Sequence, residues 1–83
     1  MKNLCRAIIW SACFLEMSDD ETVDPDSAVK AFEDIASALL NATDEEKQAF
    51  ATACEEEASA LQGNSSYNRS AKFIRELPAT FGL

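Results

Sequence analysis

Residues 25–41 read PDSAVKAFEDIASALLN, and this stretch decides the class of fold. Its apolar side chains recur at steps of three and four residues, which is the spacing of one face of an α-helix. That face consists of Ala28, Phe32, Ile35 and Leu39. Lys30, Glu33 and Asp34 fall on the opposite side of the same helix. The stretch therefore predicts an amphipathic helix whose apolar side packs against other elements.

The residues around this helix mark where helices begin and end. Asp24 is a favourable N-cap residue, and Pro25 suits the first helical position because its missing N–H needs no partner there. Downstream, Thr43 and Glu46 have the spacing of a capping box, which predicts the start of a further helix. Gly63 is typical of the residue that follows a helix C-terminus.

Similar signals along the rest of the chain predict four helices and no strand. Their expected boundaries are residues 3–17, 25–41, 44–62 and 66–77. The last helix is expected to be capped by Ser65 or Ser66 and to end at Pro78, because proline disrupts a helix interior. We expect one all-α domain, residues 1–83, folded as a small four-helix bundle with short loops.

The first helix carries more apolar surface than one core-facing stripe needs. One stripe contains Leu4, Ile8, Ser11 with Ala12, and Leu15, and the adjoining stripe contains Ile9, Trp10, Cys13, Phe14 and Met17. A helix that is apolar around most of its circumference is either central in the fold or part of an interface. The pattern leaves open a central core helix and a contact between two copies of the chain.

The inward faces of the four helices define a predicted core. Its members are Leu4, Ile8, Phe14, Leu15, Phe32, Ile35, Leu39, Phe50, Cys54, Leu61, Ile74 and Leu77. Tyr67 is expected on the inner side of the last helix, and Phe81 and Leu83 are expected to fold back as a short apolar tail. Of three consecutive glutamates in the third helix, Glu57 is the one expected at the apolar boundary.

Charge is distributed very unevenly along the chain. There are 7 Lys and Arg residues against 15 Asp and Glu, which gives a net charge of −8. Fourteen of the acidic residues lie between Glu16 and Glu57, where only Lys30 and Lys47 oppose them. Such a field attracts cationic surfaces and repels nucleic-acid phosphates and anionic lipid. The last helix carries basic residues suited to salt bridges with an acidic helix, namely Arg69, Lys72 and Arg75.

The sequence contains no pattern of catalytic or ligand-binding residues. It has no histidine, so the commonest base for a serine or cysteine nucleophile is absent. Its three cysteines, Cys5, Cys13 and Cys54, form no Cys-x-x-Cys pair and have no histidine to complete a zinc site. The acidic residues 19–26 do not have the glycine and glutamate spacing of an EF-hand loop. We therefore expect neither an enzyme nor a cofactor or metal site.

The amino terminus imitates a short signal peptide, because Lys2 and Arg6 precede the apolar run Ala7–Leu15. Glu16 follows this run directly, no small-x-small cleavage site comes after it, and the run is too short to span a bilayer. A retained helix is expected. The odd number of cysteines and the absence of a Cys-x-x-Cys pair also favour a reducing compartment, so a cytoplasmic location is expected.

Two functions from different classes fit these features. The first is a small acidic binding protein that covers a basic surface of a partner such as an enzyme or toxin, as inhibitors and toxin-neutralising immunity proteins do. Its predicted contact residues are Asp19, Asp20, Glu21, Glu45, Glu46, Glu55 and Glu56. The second is a structural or regulatory homo-oligomer that packs through its apolar first helix. Neither function is expected to involve nucleic acid or a membrane.

Overall fold

The computed structural model describes all residues from Met1 to Leu83 and contains four α-helices. They are α1 (Lys2–Met17), α2 (Pro25–Leu40), α3 (Asp44–Ala60) and α4 (Asn68–Thr80), with a 3₁₀ turn, Ser65–Tyr67, just before α4. No strand is present. The predicted all-α four-helix bundle is confirmed, and α1, α2 and α3 begin and end within two residues of their predicted boundaries.

The first turns of α2 and α3 are held by the side chains that the sequence indicated. Asp24 Oδ2 accepts a hydrogen bond from the Ser27 backbone N–H at 3.0 Å. At α3, Thr43 Oγ1 accepts from the Glu46 backbone N–H at 3.1 Å, and Glu46 Oε1 accepts from the Thr43 N–H at 2.8 Å. Both predicted caps are confirmed, and they satisfy backbone donors that a helix otherwise leaves without partners.

The start and end of α4 differ from the sequence prediction. Neither Ser65 nor Ser66 caps this helix. Instead, Asn64 Oδ1 accepts from the Ser66 backbone N–H at 3.1 Å and starts the 3₁₀ turn that leads into α4. Pro78 lies inside the helix, which continues to Thr80, so the prediction that Pro78 ends it is wrong.

The carboxyl end of α4 is closed by a Schellman motif at Gly82. The Gly82 N–H donates to the Ala79 C=O at 3.0 Å, and the Leu83 N–H donates to the Pro78 C=O at 2.9 Å. Gly82 has a φ of +81°, a left-handed conformation that residues with a side chain rarely adopt. The additional turn carries Phe81 into the core, and burial of this ring offsets the backbone hydrogen bond that proline removes.

The inward face of α1 is not the one that side-chain size suggested. Its buried residues are Cys5, Ile9, Ala12 and Cys13. Leu4 and Phe14 are 70 % and 57 % exposed, so their assignment to the core is wrong. α1 packs against α3, whose buried residues include the small side chains of Ala53, Cys54 and Ala58. Small residues on both helices let the backbones approach closely, and the larger side chains of α1 remain outside.

The other predicted core residues lie inward to different degrees. The fully buried residues among them are Phe50, Cys54, Ile74 and Leu77. Leu39 is buried to about nine-tenths, and the half-buried residues are Ile8, Leu15, Phe32, Ile35 and Leu61. Tyr67 is 46 % exposed, contrary to expectation, because it belongs to the 3₁₀ turn and not to the regular face of α4. The predicted core did not include the buried residues Cys5, Ile9, Cys13 and Ala53.

A cluster of phenylalanine rings joins α2, α3 and α4. The Phe81 ring centroid lies 6.1 Å from those of Phe32 and Phe50, and Phe32 meets Phe73 edge to face at 6.3 Å. α2 depends on these contacts, because Leu39 is its only buried residue. The expected apolar tail is confirmed at Phe81, whereas Leu83 lies at the surface.

Phe81→Ala should lower the free energy of unfolding by about 3–5 kcal/mol, because the substitution empties a buried ring site between three helices. Urea denaturation followed by circular dichroism measures the change. Leu83→Ala is the matched control at the surface and should change stability by less than about 0.5 kcal/mol. Equal stability of the two variants would contradict the packing of the tail.

Thr43→Ala should destabilise the protein by about 1 kcal/mol, because α3 loses its capping box, and Asp24→Ala should have a similar effect at α2. Thermal denaturation is the measurement. Thr52→Ala, in the exposed middle of α3, is the control and should leave the melting temperature unchanged or raise it slightly, since alanine favours helix. A melting temperature insensitive to Thr43→Ala would mean that the cap contributes nothing.

Candidate functional site

The seven predicted contact residues occupy three places in the fold. Asp19, Asp20 and Glu21 lie in the loop between α1 and α2, Glu45 and Glu46 lie in the first turn of α3, and Glu55 and Glu56 lie in its second half. All seven are exposed. They differ in whether the carboxylate already forms a hydrogen bond or an ion pair with another group of the same chain.

The loop between α1 and α2 is an ordered turn built on Asp19. Asp19 Oδ1 accepts from the Thr22 backbone N–H at 2.8 Å, and the Asp19 C=O accepts from the Val23 N–H at 3.0 Å. The hydrogen bonds from Thr22 lower the pKa of Asp19. Asp20 and Glu21 make no hydrogen bond or ion pair, so their charges are available to a partner.

The carboxylates of α3 are engaged unequally. Glu46 belongs to the capping box, and its hydrogen bonds with Thr43 lower its pKa. Glu55 Oε2 lies 3.3 Å from Arg75 Nε of α4, as expected for the basic last helix, and Glu56 Oε2 lies 3.5 Å from Lys2 Nζ of α1. These ion pairs are exposed and therefore weak. Glu45 has no intramolecular partner.

The structure does not bring the seven carboxylates onto one surface. Asp20 lies beside Leu15 at the end of α1, whereas Glu45 and Glu56 lie near Lys2 at its beginning. Leu15 and Lys2 are 13 residues apart on α1, so at a rise of 1.5 Å per residue the two sets are separated by about 20 Å along the helix. We call Asp19, Asp20 and Glu21 the loop patch. The second set belongs to a groove.

This α3 groove is a shallow depression along one side of α3. Its polar lining consists of Lys2, Asp44, Glu45, Gln48, Thr52 and Glu56. Glu45, Gln48, Thr52 and Glu56 follow one another at steps of three and four residues, so they form a single stripe on the helix. Ala49 and Ala53 lie beside the stripe and keep the depression open. The groove thus carries two carboxylates, Asp44 and Glu45, at one end, neutral polar groups in the middle, and the exposed ion pair of Glu56 with Lys2 at the other end.

Glu57 of α3 forms two hydrogen bonds with side chains of α1. Its Oε1 atom accepts from Arg6 Nε at 2.7 Å and from Trp10 Nε1 at 3.0 Å. The side chain is only 13 % exposed, which confirms its predicted place at the apolar boundary. The hydrogen bonds from Arg6 and Trp10 lower the pKa of Glu57. This carboxylate is part of the scaffold and is not available to a partner.

The cysteines are buried free thiols. Burial raises the pKa of Cys13 to about 11 and that of Cys54 to about 12. At neutral pH both are protonated, and a protonated thiol is a poor nucleophile and a poor metal ligand. No group of three or more cysteine, aspartate or glutamate side chains is placed to hold a metal ion.

The outer face of α1 is the other unusual surface. Leu4 and Phe14 project from it, Ala7 and Ser11 lie exposed between them, and Trp10 at its edge is 38 % exposed. No charged residue interrupts this face. The sequence left open whether the extra apolar residues of α1 are buried in the core or form a contact between two copies of the chain. These residues are exposed, so burial in the core does not account for them.

The chain has no match among protein-family models, curated proteins or solved structures. None of its helices is both long and apolar enough to cross a membrane. Function is therefore inferred from the surfaces of the fold.

Stability should depend on pH partly through Glu57. Because its pKa lies below the ordinary 4.5 in the folded state, its contribution is fully present above that pH and is lost as the pH falls through the folded-state pKa. Glu57→Gln should therefore destabilise the protein at neutral pH by about 1–2 kcal/mol and reduce the loss of stability on acidification.

Urea denaturation at neutral and acidic pH measures this effect. Glu56→Gln is the control, because the neighbouring carboxylate is exposed and pairs only with Lys2. Its effect at neutral pH should be below about 0.5 kcal/mol. Identical pH profiles for the two variants would show that the contact of Glu57 with Arg6 and Trp10 contributes no stability.

Proposed function

We propose that this chain is a small non-catalytic binding module that covers a basic surface of a partner protein. The observation that carries the proposal is the α3 groove, in which Asp44, Glu45 and Glu56 are exposed around neutral polar side chains. Asp44 and Glu45 make no intramolecular hydrogen bond or ion pair, and Glu56 is held only by an exposed lysine. A cationic partner can therefore pair with these carboxylates without breaking a strong contact inside the chain.

The rigidity of α3 favours such a role. The carboxylates stand on a helix that is capped at its start and packed against α1 and α4, so little conformational entropy is lost when a partner binds. The spacing between Glu45 and Glu56 along the helix is about 16 Å at 1.5 Å per residue. A helix or strand with basic residues at both ends matches that length.

The net charge of −8 makes association with a basic protein fast, because long-range attraction steers the encounter. Enzymes that act on anionic substrates, nucleases among them, present a basic surface of this kind. An inhibitor or a toxin-neutralising immunity protein that blocks such a surface needs no catalytic group of its own. The loop patch lies about 20 Å along α1 from the α3 groove and contributes to steering.

Reversal of two charges in the groove tests the proposal. The double variant Glu45→Lys with Glu56→Lys should slow association with the basic partner by about tenfold or more at low salt. The difference should shrink as the ionic strength approaches about 0.5 M, where the Debye length is only about 4 Å. A partner captured from native lysate on immobilised wild-type protein serves as the analyte, and surface plasmon resonance gives the association rate.

Glu33→Lys with Glu76→Lys is the matched control. It changes the net charge by the same amount, and both residues are exposed and lie outside the groove. The control should slow association by only a few-fold. An equal loss of association rate in the two variants would mean that the groove acts only as part of the overall negative charge. Wild-type association rates in the groove variant would contradict the proposal.

A further inference from the structure

α2 contributes less to the shared core than any other helix. Of the 13 buried residues in the chain, Leu39 alone belongs to α2. α1 and α3 contribute four each, and α4 contributes three. Phe32 and Ile35, on the apolar face of α2, are only half-buried. Apolar burial therefore holds α2 to the bundle less firmly than it holds the other three helices to one another.

The polar side-chain contacts between helices also leave α2 out. Three consecutive glutamates of α3, residues 55–57, pair with side chains of α1 and α4. No hydrogen bond or ion pair joins a side chain of α2 to another helix. The polar contacts of α2 are all local, within the helix and its caps, as in the ion pair of Lys30 with Asp34. These contacts stabilise the helix itself and do not attach it to the bundle.

A gap lies between α1 and α2 at each end of α2. A depression of about 270 Å³ separates the end of α1 from the start of α2, and Phe32 forms part of its wall. A second depression, of about 220 Å³, lies at the other end between Ile8 of α1 and Leu39 of α2. Side chains that line a gap lose dispersion contacts on that side. The attachment of α2 thus depends on the contact of Phe32 with the rings of Phe73 and Phe81.

We propose that α2 opens as one unit while α1, α3 and α4 stay folded. This inference is independent of the proposal that the α3 groove binds a basic protein. The remaining helices keep every buried residue except Leu39, and they keep the contact between Phe50 and Phe81 at 6.1 Å. A detached helix of 16 residues is only marginally stable in water. α2 therefore loses its helical hydrogen bonds when it leaves the bundle, and its backbone amides become accessible to solvent.

The opened form displays an apolar surface that the closed form covers. Phe73 and Phe81 lose the ring of Phe32 that packs on them in the closed form. Elements with a low free energy of opening are the ones that serve as lids over binding surfaces. α2 is such a lid, and its hinges are the connections formed by residues 18–24 and 41–43.

Native-state hydrogen exchange of the full chain, followed by NMR, is the test. The most protected amides of α2 should be protected at least about tenfold less than those of α1, α3 and α4. Their exchange should also rise less steeply with urea below the unfolding transition, because opening one helix exposes less surface than global unfolding. Equal protection and equal urea dependence in all four helices would overturn the proposal.

Two substitutions separate local opening from global unfolding. Asp24→Ala removes the cap of α2 and should speed exchange of the α2 amides by about fivefold. Glu57→Gln weakens the contact between α1 and α3, which persists when α2 opens. It should speed exchange of the slowest α1 and α3 amides by about fivefold or more and leave the α2 amides unchanged. Acceleration of the slow amides in all four helices alike by both variants would show that the bundle unfolds only as a whole, and would overturn the proposal.

Phe32→Ala tests the contact that closes the lid. Loss of the ring should speed exchange of the α2 amides by about tenfold or more. Val29→Ala is the matched control, because Val29 lies on α2 but is 56 % exposed. It should leave the exchange of α2 unchanged or slow it slightly, since alanine favours helix. Circular dichroism checks that each variant retains its helices. Equal effects of the two substitutions would contradict the role of Phe32 in holding α2 closed.

Discussion

The close packing of α1 on α3 is the contact on which the rest of the structure depends. It uses small buried side chains from both helices, including Ala12, Ala53 and Ala58, and Glu57 locks its edge by accepting hydrogen bonds from Arg6 and Trp10. Small residues permit a short distance between helix axes, and a short distance increases dispersion contacts across the interface. The consequence is that the bulky residues of α1 have no place inside.

The concentration of acidic residues is a cost to the folded state, because like charges repel. Part of this repulsion is relieved locally. Asp24 and Glu46 cap helices, Asp19 builds a turn, and Glu55 pairs with Arg75. Carboxylates without such a contact include Asp20 and Glu21 in the loop between α1 and α2 and Asp44 and Glu45 at the start of α3, and others are spread over the surface. An acidic residue that stabilises nothing within the chain is the kind available for recognition.

The α3 groove and the outer face of α1 differ in chemistry. The α3 groove acts through charge, which gives fast association and sensitivity to salt. The outer face of α1 is apolar and carries no charged residue.

Local patterns by themselves determined the four helices, two of their caps and the position of Glu57, because these features depend on side chains within one or two turns of each other. They also located the acidic residues but could not show that Asp20 and Glu45 lie near opposite ends of α1. Only the tertiary structure decided which face of α1 is buried. Residue size favoured Leu4 and Phe14, whereas the close approach of α3 selected Cys5, Ile9, Ala12 and Cys13. Likewise, Pro78 is compatible with a helix only because Phe81 beyond it reaches the core.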